Sequence, residues 1–151
     1  MSNVSLAFDA ARTAIGTLFP NMTELPNPDS VEDNNQMLLE NGWGLKFGAS
    51  TVSPFEVLKE TTSIIEFVVV LSTQIIRLDS DVEAIHTQMK ALFEDEVTLR
   101  KDFLNPDQLQ AQPNIRKIEW TSTSEPLEIQ VSRFNFKYIE VNFSFDLAEN
   151  I

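Results

Sequence analysis

The sequence predicts an α+β domain: an antiparallel sheet of about four to five strands, with one long helix packed on one face and a short N-terminal helix. Three observations predict it. The run Ser63–Leu78 is dominated by β-branched residues, which favour a pleated strand over a helix. After it, Asp79-Ser80-Asp81 supplies a helix start. Val82, Ile85, Met89, Leu92, Phe93, Leu99 and Phe103 then follow at mostly three- and four-residue steps. Near the end, Ile139, Val141, Phe143, Phe145 and Leu147 alternate with Glu140, Asn142, Ser144 and Asp146.

In chain order, Ser5 can cap a first helix whose apolar face is Leu6, Ala10, Ala11, Ala14, Ile15, Leu18 and Phe19, rich in small residues that permit close packing. Phe19-Pro20-Asn21 closes it. Pro20 to Asn35 is polar, carries three prolines and reads as a surface loop, long enough to suggest a partner-binding role. Asn41 to Gly48 reads as a strand entered through glycines, with Trp43, Leu45 and Phe47 on one face. A connection through Pro54, Phe55, Val57 and Leu58 leads into the long strand as its antiparallel neighbour. That strand puts Ile65, Phe67, Val69, Leu71 and Ile75 on one face. The other mixes Ile64, Val68, Val70 and Ile76 with Glu66, Ser72 and Gln74, so it is partly covered. The second helix spans roughly six turns and stops at Asn105-Pro106. Ile115, Ile118 and Trp120 begin the next strand, Thr121 to Pro126 reads as a turn or loop, and Leu127, Ile129 and Val131 alternate briefly. Phe134, Phe136 and Tyr138 run in the opposite phase to the closing strand. Either a bulge shifts the register near Tyr138 or this part packs on a second surface, such as a subunit interface. The whole chain, 1–151, reads as a single domain.

Composition narrows function. A net charge of −12 argues against tight binding to nucleic-acid phosphates or anionic lipid. There is no Cys, hence no disulfide frame and no thiolate chemistry. No signal peptide is visible, and the longest apolar run is too short to span a bilayer. His86, the single histidine, sits mid-helix with no Ser or Cys partner in view and reads as solvent-facing or core-edge. Asp79-Ser80-Asp81 starts like a calcium loop but lacks the central Gly, and Lys90 stands where the closing Glu belongs. Glu94-Asp95-Glu96 reads as a solvated helix face. The glycines around Trp43 miss the dinucleotide-binding spacing. No catalytic, cofactor-binding or metal-ligating residues are nominated. The residual signal is aromatic: Trp43, Trp120 and 11 Phe, types that fill cores and also anchor subunit interfaces.

The pattern resembles the tail terminator, or tail-completion, proteins of long-tailed bacteriophages (lambda U-like). The carriers are the first helix Leu6 to Phe19, the strand pair around Leu45 and Ile64 to Leu78, and the Asp79-Ser80-Asp81 helix start. Ile118 to Leu127 and the closing Tyr138-Ile139-Glu140-Val141-Asn142-Phe143-Ser144-Phe145 belong with them. The resemblance spans most of the chain as architecture. It implies a non-enzymatic virion protein of the tail and neck, present in the host cytoplasm during assembly. Its partners would be further copies in a hexameric ring, the tail tube protein and a neck or head-completion protein. DNA would pass without specific binding, and no cofactor or membrane is implied; the net charge makes Glu32, Asp33, Glu125 and Glu149 candidates to line such a passage, with simple solubility as the other account of the acidity. A closed ring joins two different patches of each subunit. The nominated pair is the first helix, through Leu6, Ala10 and Ala14, and the segment of Arg133, Phe134, Phe136 and Tyr138. Two alternatives stay open: another phage neck, tail-tube or baseplate subunit, and a monomeric α+β ligand-binding or enzyme domain.

Overall fold

The computed structural model describes residues 3–52, 60–75 and 82–150. The order is α1 (Asn3–Leu18), β1 (Thr23–Glu24), a 3-10 turn (Val31–Asp33), α2 (Gln36–Leu39), β2 (Asn41–Val52) and β3 (Glu60–Ile75). Then follow α3 (Val82–Leu104), a 3-10 turn (Leu109–Ala111), β4 (Ile115–Thr123), β5 (Leu127–Val131) and β6 (Phe134–Asn150). The class is α+β as expected. The expected helix cap at Asp79-Ser80-Asp81 and the Pro54 to Leu58 connection lie outside the described residues.

The sheet has six strands in the order β1-β2-β3-β6-β4, with β5 also paired to β6. It is mixed rather than purely antiparallel, because β1 runs parallel to β2 through Thr23↔Gly42 and Glu24↔Trp43. Parallel neighbours need a crossover of roughly a dozen or more residues, and the segment between Glu24 and Asn41 provides it. The expected surface loop is therefore in part a packed connection: Leu25, Val31 and Asn34 are buried, while Pro20, which precedes β1, and Pro26, Asp29, Glu32 and Asp33 stay exposed.

β3 and β6 pair without interruption from Glu60↔Asn150 to Ile75↔Asn135. The opposite phase of Phe136 and Tyr138 is thus not a bulge. These side chains occupy the second face of the same strand. There Phe136 and Val70 are buried with Leu25, Val31 and Leu39, and Tyr138 packs against the group. What covers that face is the chain's own crossover, so the expectation that Phe136 is left over from the core is corrected.

The first face carries the larger core. Ile65, Phe67, Val69 and Leu71 of β3 and Ile139, Val141, Phe143, Phe145 and Leu147 of β6 meet Ala7, Ala11 and Ile15 of α1 and Leu92, Leu99 and Phe103 of α3. Rings run through it from one helix to the other. Phe8 stacks on Phe47 at 4.7 Å and meets Phe67 edge-on; Phe67 contacts Phe145 at 4.6 Å; Phe103 contacts Phe143 at 4.7 Å. Such pairs add roughly 0.5–1.5 kcal/mol each beyond the area they bury.

Two details depart from the sequence reading. β4 continues through Thr123, with register shifts at Ile115/Lys117 and Trp120/Ser122, so residues 121 to 123 are strand rather than loop. Only Ser124 to Pro126 interrupt the edge. There the Ser124 N–H donates to the Glu140 carbonyl (2.9 Å) and its hydroxyl oxygen accepts from the Glu140 N–H (2.9 Å), so one residue replaces the missing ladder. Phe93, expected in the core with Leu92, is 37% exposed. Leu92 already points at the sheet, and the next residue along a helix turns away by about 100°.

Candidate assembly surfaces

Asn34 explains why the crossover is built as it is. Buried behind Val31, its side chain accepts from the Asn27 N–H (3.0 Å) and donates to the carbonyls of Asn27 (2.9 Å) and Val31 (3.0 Å). One amide thus ties the chain at Asn27 to the 3-10 turn at Val31, adding to the backbone bonds that Ser30 and Asn34 make to the same carbonyls. Asn35 then caps α2 by accepting from the Met37 N–H. Gly42 and Gly44 let the crossover lie close on β2. A Cβ at Gly42 would stand 2.6 Å from the Leu38 carbonyl oxygen, and one at Gly44 would stand 2.7 Å from Pro28.

The nominated interface residues separate into four settings. Leu6 is exposed on α1. Ala10 and Ala14 are half-buried and share an open groove of about 470 Å³ with Thr13, Thr17 and Leu18, closed on its far side by Asp102, Asp107 and Leu109. Arg133 and Phe134 form the exposed tip of the β5–β6 hairpin, where Val131 pairs with Phe134. The tip is tight: Ser132 has φ 57°, and the Arg133 N–H donates to the Val131 carbonyl at 3.0 Å. Phe136 is 1% exposed on the second face, with Tyr138 half-buried beside it. Burial pushes the Tyr138 phenol up, with Glu140 and Glu32 adding to the effect and Lys46 opposing it.

Other surface features were not singled out from sequence. Phe93, Val97 and Leu104 stand exposed on α3, about a third of a turn from its buried stripe. Phe93 and Val97 line a shallow groove with Lys90, Glu94 and Thr98. Their four- and seven-residue spacing was visible, but it merges with the core stripe unless the two are phased separately. Asp102 and Asp107 had no signal at all, because the groove they close is made by α1, which is remote in sequence.

The acidic run on α3 splits. Glu94 is exposed, Asp95 half-buried, and Glu96 only 4% exposed, which corrects the solvated reading for Glu96. Its carboxylate pairs with Arg100 Nε at 2.7 Å and accepts from Thr123 Oγ1 at 2.8 Å. Arg100 lies 4.6 Å from the centroid of the Trp120 ring, and Trp120 Nε1 donates to Thr123 Oγ1. These contacts tie α3 to β4. His86 is exposed. Among the described residues no three His, Asp or Glu side chains are grouped to hold a metal ion, and no helix is long and apolar enough to cross a membrane.

Fold and surfaces together define a sheet-and-helix domain of the α+β class that shows apolar side chains on several faces. No protein-family model matches the chain, and no curated protein matches it. Among solved structures, a chain of one titled "Virion of native gene transfer agent (GTA) particle" is similar at 9% identity, over 93% of this chain and 93% of its own, with a TM-score of 0.48. A likeness at that level carries no functional argument.

Proposed function

We propose that this protein is a structural subunit of a phage-like particle, and specifically a tail terminator: a ring that closes the tail tube and joins it to the head and neck. The observation that carries the reading is the full element order that the resemblance requires. It has a first helix, a hairpin of two long strands, a long helix across the sheet and a long closing strand, with apolar side chains left on the outside. Single exposed apolar residues are ordinary. Phe93 and Val97 stand together on one helix face and would be available to a partner. Its role is positional, and its partners are further copies of itself, the tail tube protein and a neck or head-completion protein.

Mass and shape test the reading. A closed ring of six 17.1 kDa subunits weighs about 103 kDa, and negative-stain electron micrographs should show rings, either alone or on the ends of purified tail tubes. Rings that stack into continuous tubes would assign the chain to the tube instead. A monomer that also ignores tail tubes would remove the reading altogether.

A further inference from the structure

We propose that the β5–β6 hairpin tip of one copy, with Arg133 and Phe134, seats in the groove between α1 and the end of α3 on the next copy, against Asp102 and Asp107. The inference rests on the reading of the chain as a ring subunit and names the surfaces that would close the ring.

Charge complementarity is the first support. Arg133 is exposed and has no ion pair among the described residues, in a chain with 11 basic against 23 acidic side chains. Four other described cations pair within the chain: Arg12 with Glu24, Lys46 with Glu140, Arg100 with Glu96 and Lys117 with Glu119. The groove presents the matching deficit. Asp102 and Asp107 likewise have no ion pair among the described residues, and burial holds the Asp102 carboxyl above its usual range with no cation to offset it. An arginine arriving there would supply the missing partner, and guanidinium is the cation best suited to carboxylates.

Shape is the second support. The groove wall is made of Ala10, Thr13, Ala14 and Thr17, small side chains that leave room for a ring. Phe134, the aromatic at the tip, is 43% exposed. The tip projects where β3 ends, since Ile75 pairs with Asn135 just behind it, whereas the groove belongs to the helical layer. Two different patches of one chain therefore meet, which is the head-to-tail contact that closes rings.

The absence of cysteine gives a clean test. A Ser132→Cys/Thr17→Cys variant, oxidised under mild conditions, should give a ladder of disulfide-linked species extending past the dimer, while each single variant gives dimer at most. Charge reversal gives an independent readout by light scattering. Arg133→Glu alone and Asp102→Arg/Asp107→Arg alone should each lose the assembly, and an equimolar mixture of the two should recover it, since every tip then meets a groove of opposite sign. Circular dichroism of each variant separates lost folding from lost contact, and recovery on mixing is possible only for folded chains. A ladder that stops at dimer, or an assembly indifferent to both reversals, would overturn the tip-in-groove contact while leaving the ring subunit reading intact. A chain that neither cross-links nor assembles, with or without tail tubes, would overturn both.

Discussion

Phe103 and Phe93 sit on the same helix and do opposite things. Phe103 is fully buried against Phe143 and Phe145, whereas Phe93 faces outward from α3. Phe103→Ala is expected to cost about 3–5 kcal/mol. Phe93→Ala should cost clearly less, about 1 kcal/mol, as read by urea denaturation of the unassembled chain. Equal losses at the two positions would contradict the packing described here. Asp95 makes a pH prediction. Burial raises its carboxyl above the usual range, and Glu94 adds to the shift. A raised folded-state pKa means that the protonated form is favoured by folding. That contribution is fully present below the unfolded value and is lost as pH rises through the folded one. At neutral pH the charged Asp95 therefore works against the fold. Asp95→Asn should raise the melting temperature at neutral pH and lose that advantage below about pH 4, where the native side chain is itself neutral. A gain of the same size at both pH values would assign the effect to something other than ionisation.

At the scale of elements, the crossover between β1 and β2 decides the most. It converts an exposed sheet face into a second small core of Leu25, Val31, Leu39, Val70 and Phe136, and Gly42 sets how closely it can lie. Gly42→Ala forces a methyl against the Leu38 carbonyl and should destabilise by about 1–3 kcal/mol through overpacking, although alanine is otherwise a modest change in a strand. A melting temperature equal to that of the parent would show that the crossover can lift at no cost. The element was only partly legible. Prolines and polar residues marked it as a connection, and the glycines of β2 marked a special strand. The pairing of Asn34 with the backbone of Asn27 and Val31 depends on a turn geometry that residue types alone do not specify. Of the residues nominated for assembly, Arg133 and Phe134 stand exposed and Ala10 and Ala14 half-buried, whereas Phe136 lies in a second core that its periodicity did not foretell.

For the whole molecule, acidity is the property most open to test. Glu32, Asp33 and Glu125 are exposed as expected of a surface that meets solvent or a repelled polyanion, while the Glu149 side chain lies outside the described residues. With a net charge of −12 per chain, gel-shift titrations at low salt should show no complex with duplex DNA. Reversal of Glu32 and Asp33 to Lys should create salt-sensitive retention in the assembled ring, if these positions face its passage, because each neutralised phosphate releases counterions. Tight, salt-sensitive binding by the unmodified protein would contradict a passive passage and indicate a DNA-binding role instead.

The sequence by itself determined the long strands and helices, because a period of two or of three to four apolar residues is written locally and survives any packing. β3, α3 and β6 are of this kind: the apolar face of each was visible before any partner was known, apart from the outward turn of Phe93. It also determined the acidic, cysteine-free character of the surface, which is a matter of counting. Tertiary structure alone decided what each second face meets. Val70 reads as lying on a partly covered face and Phe136 as surplus until the Leu25 to Leu39 segment is laid on them. Glu96 reads as solvated until Arg100 and Thr123 close around it. Asp102 becomes a groove wall only when α1 arrives beside it. Apart from Arg100, which stands one helical turn from Glu96, the deciding neighbours are far away in sequence. Burial is a property of the pair, so neither partner's own periodicity could carry it.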